Sequence, residues 1–232
     1  FLCSDGAFVG VDLAVGPDGA LYMSDWVDTR HCHNPGVEQW DRGNGRIYRM
    51  KYDATYKPNR RDWTKATDVE LAQALTLSDD WHVRAARLVL ASRYAGKPLP
   101  PTHADSIRRI GQNEPSEKPD QVRRRLSALW ALQSLRAVSA DDIALWLADE
   151  NEVVRGWGVR LLKNAESLPG LAMKDPSLMV RREIALAAGR LLGTGAWEAL
   201  EILCNQPENA QDRDLPVILW QSIGKLWSNG NA

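Results

Sequence analysis

One pattern recurs over the last two thirds of the 232 residues and restricts the fold more than any other feature. An acidic or polar turn precedes Val-Arg, and an apolar run at helical spacing follows. It stands at Asp79-Asp80-Trp81-His82-Val83-Arg84, at Asp120-Gln121-Val122-Arg123 and at Asp149-Glu150-Asn151-Glu152-Val153-Val154-Arg155. The clearest copy is Asp175-Pro176-Ser177-Leu178-Met179-Val180-Arg181, and a degenerate one is Asp214-Leu215-Pro216-Val217. Each part of the pattern has a local reason. Asp caps the second helix of a pair and Pro176 suits its first turn. Val faces the core between stacked pairs, and Arg reaches along the stack toward carboxylates or carbonyls.

The later copies recur at irregular intervals of 26 to 39 residues. That interval fits HEAT-like helical pairs, each of which buries its face only against its neighbours. The reading predicts a right-stacking α-solenoid of four to five pairs over residues 66–228. Trp81, Trp130, Trp146, Trp157, Trp197 and Trp220 all fall in its helices, where core and inter-repeat packing is their ordinary use.

Before residue 60 the grammar differs. Val9 to Val15 alternates apolar with other residues, Gly16-Pro17-Asp18-Gly19 is a turn, and Ala20 to Trp26 is a second strand. After a long loop, Gly45-Arg46-Ile47-Tyr48-Arg49-Met50 is a third. Three short antiparallel strands are not stable alone. They read as one blade, or most of one, of a larger β-propeller. The expected class is therefore mainly α, a HEAT-like solenoid preceded by a three-stranded blade fragment. Its divisions are the last blade over 1–57, a linker over 58–67 and helical repeats over 68–232. A chain that opens on Phe1 without an initiator Met reads as a piece of a longer protein.

Charge and cysteine usage exclude several function classes. Twenty-nine basic against thirty acidic residues, net charge -1, argue against a polybasic nucleic-acid binder. No apolar run approaches the roughly 20 residues of a membrane span. Three scattered cysteines form neither a disulfide framework nor a Cys-x-x-Cys zinc or haem motif. Gly43-Asn44-Gly45 lacks the Lys of a phosphate loop, and no Gly-x-Ser-x-Gly elbow occurs.

Chemistry concentrates in the loop after the second strand. His31 and His33 flank Cys32, with Asp25, Asp28 and Asp41 near by in sequence, all metal-competent groups. Asp25, His31, His33, Asp41 and Arg42 are the candidate substrate- or cofactor-loop residues, and Asp25, His31 and His33 the candidate metal ligands. A plainer reading has Asp25 and Asp41 pairing Arg30, Arg42 or Arg46 to pin the loop. The run Arg123-Arg124-Arg125 reads as a solvated helix face.

The stretch Val11 to Trp26, the His-containing loop and Trp40-Asp41-Arg42-Gly43-Asn44-Gly45-Arg46-Ile47-Tyr48-Arg49 together resemble the last propeller blade of a known family. These are the PVC-type membrane-bound dehydrogenases with a haem-binding domain, related to glucose/sorbosone dehydrogenases. In that family HEAT-like repeats follow the propeller, and a cytochrome c domain commonly follows them. The resemblance covers residues 8–52 by motif and the rest by architecture. It implies an exported, periplasmic quinoprotein-like dehydrogenase acting on a sugar or alcohol. Its cofactors would be PQQ with Ca²⁺, and haem c in a domain outside this chain. It assigns no catalytic residue here. Two other classes compete. One is a non-enzymatic propeller/HEAT scaffold that binds a polysaccharide or a protein through the HEAT surface. The other is a metal-dependent hydrolase built on His31 and His33.

Overall fold

The computed structural model describes residues 4–26, 43–58, 60–112 and 119–230. They are mainly α-helical, with a small three-stranded antiparallel sheet. Two compact units divide the chain, Phe1–Ser92 and Arg93–Ala232. The polar stretch 58–67 lies inside the first.

In the first unit β1 (Gly10–Val15), β2 (Leu21–Asp25) and β3 (Arg46–Met50) pair in sequence order. The turn between β1 and β2 closes as its residues dictate. Gly19 takes φ +75, and the Gly16 N–H donates to the Ala20 carbonyl at 2.9 Å. Register places Leu13 opposite Met23 and Met23 opposite Tyr48. Phe8 sets its ring edge-on to Tyr48, centroids 5.8 Å apart. Met23 is buried, whereas Val11, Leu13, Val15 and Ile47 are more than half exposed.

Two helices complete this unit. Asp62 caps the short 3-10 turn Trp63–Lys65. Thr67 and Glu70 form a reciprocal capping box at α1 (Asp68–Ala74). α2 spans Asp80–Arg93. Buried Trp63 donates its Nε1–H to Nδ1 of buried His82 at 2.8 Å, which satisfies the indole N–H and one nitrogen of the imidazole.

The second unit holds α3 (Pro101–Gly111), α4 (Pro119–Ser134), α5 (Ala140–Leu147), α6 (Glu152–Arg160), α7 (Leu168–Lys174), α8 (Leu178–Leu191), α9 (Thr194–Cys204) and α10 (Leu215–Gly230). α3 packs on α4 and α5 on α6; α8 packs on α6, α9 and α10; α7 packs on α9. Val159, Leu168, Val180, Ile184, Leu200 and Leu215 anchor the core, and each such side chain contributes about 1.5–3 kcal/mol when removed from water.

Asp79 caps α2 as expected, its Oδ1 accepting the Trp81 N–H at 2.9 Å, but the later acidic turns work differently. Asn151 and Ser177 are the N-caps of α6 and α8. The aspartates lie two residues earlier and fold the turn. Asp149 accepts the Asn151 N–H at 2.8 Å, Asp175 the Ser177 N–H at 2.9 Å and Asp212 the Asp214 N–H at 3.0 Å. Pro176 accordingly precedes the cap of α8 instead of entering its first turn. The tryptophans also divide. Trp146 is buried and Trp130 stands edge-on to Trp157 at 5.5 Å, but Trp220 is 78% exposed, not packed in a core.

Candidate functional site

Of the five residues that the sequence singles out, His31, His33, Asp41 and Arg42 lie outside the described residues. Asp25 ends β2 with its side chain fully buried. Its Oδ1 accepts the Val9 N–H at 2.9 Å, and its Oδ2 stands 3.8 Å from Nη1 of Arg46. The same Arg46 nitrogen donates to Asp5 at 2.6 Å. Asp25 thus ties the segment before β1 to the end of β2, a structural use of the carboxylate.

A second buried carboxylate, Asp18, organises the other end of the sheet. Its Oδ1 accepts the Ala20 N–H at 3.2 Å. Its Oδ2 accepts from Tyr22 at 3.2 Å, Tyr56 at 2.8 Å and Arg49 Nε at 2.9 Å. Burial acts to raise its pKa, but the hydrogen bonds from Tyr56 and Arg49 outweigh burial and hold the carboxyl far below the usual range. Beside this turn, Leu13, Gly16, Pro17 and Tyr22 face Asp80, Trp81 and Arg84 across a cleft of about 940 Å³.

In the second unit, arginines on the helices reach acidic groups of other turns. Arg108 donates to Asp142 through Nε at 2.8 Å and Nη2 at 3.0 Å. Arg125 lies 3.0 Å from Asp149, and Arg155 grips Asp175 with both Nε, at 2.8 Å, and Nη2, at 3.1 Å. Arg160 grips Glu183 in the same two-pronged way. Arg181 donates to the Asp175 carbonyl, Asn209 and Glu208, and Arg182 holds Asp212 at 2.9 Å. The hydrogen bond from Arg182 pulls Asp212 far below the ordinary carboxylate range. Bidentate pairs of this kind fix geometry as well as charge.

A cavity of about 420 Å³ opens among α3, α4 and α5. Arg108, Arg125, Asp142 and Asp149 form its polar wall, and Leu132 and Trp146 its apolar one. Burial pushes Asp142 up, but Arg108 and the Ser139 N–H and hydroxyl pull it down further, so the carboxylate stays ionised. Both arginines already face carboxylates. With Glu150 also in the lining, three carboxylates stand against two guanidinium groups, so the wall does not suit a free anion. Spacing in the sequence signals the separate turns but not this cavity, because its two ion pairs join residues 34 and 24 positions apart.

Among the described residues no helix is long and apolar enough to cross a membrane. In comparisons with known proteins, no family model, no curated protein and no solved structure matches the chain.

Proposed function

We propose that this chain is one blade of a β-propeller followed in sequence by a HEAT-like array of helical pairs, and that it serves as a non-catalytic scaffold segment. The observation that carries the reading is the succession of arginine–carboxylate pairs, from Arg108–Asp142 to Arg182–Asp212. Each spends its charge on joining one turn to another element, which is what an array without long-range core contacts needs. The exposed Val11, Leu13, Val15 and Ile47 support the blade reading, since neighbouring blades cover such residues.

The parent protein in this proposal is exported, periplasmic and quinoprotein-like, oxidising a sugar or alcohol and passing electrons to a haem c domain. That part rests on the sequence resemblance alone. PQQ with Ca²⁺ would supply the redox chemistry. Among the described residues no three His, Cys, Asp or Glu side chains gather as metal holders.

Two measurements test the proposal. The chain is titrated with PQQ and Ca²⁺ and given glucose, with quinone absorbance as the readout. No sugar-dependent reduction is expected, and reduction by this chain alone overturns the non-catalytic assignment. Reading the gene through both ends should show further blades upstream and a Cys-x-x-Cys-His downstream. Absence of both overturns the dehydrogenase parent.

A further inference from the structure

The outer face of α10 carries a feature that the proposed scaffold role does not use. Val217, Trp220 and Trp227 are 57%, 78% and 68% exposed, and exposed Gly224 completes their row. The spacing of 3, 4 and 3 residues puts all four on one stripe of the helix, as at the a and d positions of a coiled coil. The stripe presents two large aromatic rings to solvent.

The earlier helices show how such a face is used. Gly156 of α6 is a socket for α8: a Cβ there would lie 3.4 Å from Met179 Sδ and from Glu183 Cγ. Gly189 of α8 is a tighter socket for α10, where a Cβ would lie 2.9 Å from Ser222 Oγ and 3.1 Å from Ser222 Cα. Gly224 sits at the corresponding interval on α10, and a Cβ there would meet nothing within 4 Å. Gly156 and Gly189 are filled sockets, and Gly224 is an open one.

We infer that α10 is a dimerisation helix that pairs with α10 of a second copy about a twofold axis. The order of the four residues selects this occupant. Trp220 and Gly224 lie two positions either side of residue 222, and Val217 and Trp227 lie five positions either side of it. A twofold axis level with residue 222 therefore sets each Trp220 over Gly224 of the second copy and each Trp227 over its Val217. Both large residues meet both small ones, twice, as a self-complementary interface requires.

Charge does not oppose the contact. Lys225 is the single charged residue in α10, and no acidic residue occurs in it. A buried tryptophan covers roughly 150–250 Å². At their present exposures, four of them contribute roughly 450–700 Å² toward the approximately 1,200 Å² where specific interfaces begin. Val217, 57% exposed, and exposed Lys225 adjoin the stripe and add to that area.

Sedimentation velocity and light scattering on the whole chain test the inference. The expected result is a closed dimer whose mass stops at twice that of the chain. Trp220→Ser and Trp227→Ser should each weaken association at least tenfold with unchanged far-UV circular dichroism, because both side chains are exposed. Gly224→Leu should do the same with both tryptophans in place, by filling the socket. Three results overturn the inference: a monomer throughout the micromolar range, a mass that climbs without a plateau, or a dimer that survives all three variants. The climbing mass would indicate head-to-tail stacking of a further helix, not a twofold.

Discussion

Replacing Arg155 with Ala removes the best-defined link in the second unit. The side chains of Arg155 and Asp175 are 15% and 6% exposed, so water screens the pair weakly. Four hydrogen bonds leave with the guanidinium: two to Asp175, one to the Asp149 carbonyl at 2.9 Å and one to the Glu150 carbonyl at 2.8 Å. Asp175 then keeps the Ser177 N–H as a donor but faces no cation from Arg155. Breaking a fully buried pair costs about 3–5 kcal/mol, while an exposed pair is worth about 0–1 kcal/mol. The residual exposure and the remaining N–H place this one near about 2–3 kcal/mol. Urea unfolding followed by far-UV circular dichroism reads that loss as an earlier midpoint at constant slope. Thermal unfolding should shift down by roughly 5–10 °C for a unit of this size. Lys at position 155 should recover only part of the loss, because an ammonium cannot grip both carboxylate oxygens. A loss under about 0.5 kcal/mol, within the range of ordinary surface substitutions, refutes the reasoning: the pair would then be solvated in solution.

Other consequences are checked more briefly. Trp63→Phe leaves His82 Nδ1 without its donor in a buried site and should cost about 1–2 kcal/mol, read from the thermal transition of the chain; an unchanged midpoint would show that the bond carries nothing. Gly189→Ala sets a methyl group 3.1 Å from the Ser222 backbone and should cost about 1–3 kcal/mol, since α8 or α10 has to move; a neutral result would mean that the two helices are looser than described. Asp142 is held below its unfolded-state pKa, so its contribution is present above that value and lost as pH falls through the lower folded one. Stability of the wild-type chain should therefore be level near neutrality and drop in acid below about pH 4, and Arg108→Gln should flatten that drop; identical acid profiles for the two proteins would contradict the role given to Arg108.

The helices and strands were legible because their signals are local. Alternation over Val9 to Val15, the Gly-Pro-Asp-Gly turn and the apolar periodicity after the Val-Arg pairs each act within a few residues. The function of the acidic turns was only half legible. Sequence marks Asp149 and Asp175 as helix starters, but whether a carboxylate caps the helix or folds the preceding turn depends on a shift of two residues. Asp25 illustrates a different limit: its neighbours in sequence advertise metal chemistry, while its own oxygens serve the Val9 N–H and face Arg46. Trp220 and Trp197 show a third. Helical spacing says that such residues share a face with others, not whether anything covers that face, and both stand exposed.

Asp142 does two jobs with one carboxylate. It closes the capping box of α5 through Ser139, and it clamps Arg108 of α3. Helix nucleation at α5 and closure of the α3 segment over the intervening residues are thereby one event. If α5 frays, Arg108 loses its anchor; if α3 lifts away, the first turn of α5 loses the cation that helps lower the pKa of its cap. Amide protons of the two helices should therefore exchange as a single cooperative unit, opening together at one free energy. A short helix of eight residues acquires by this means the protection of a much longer one.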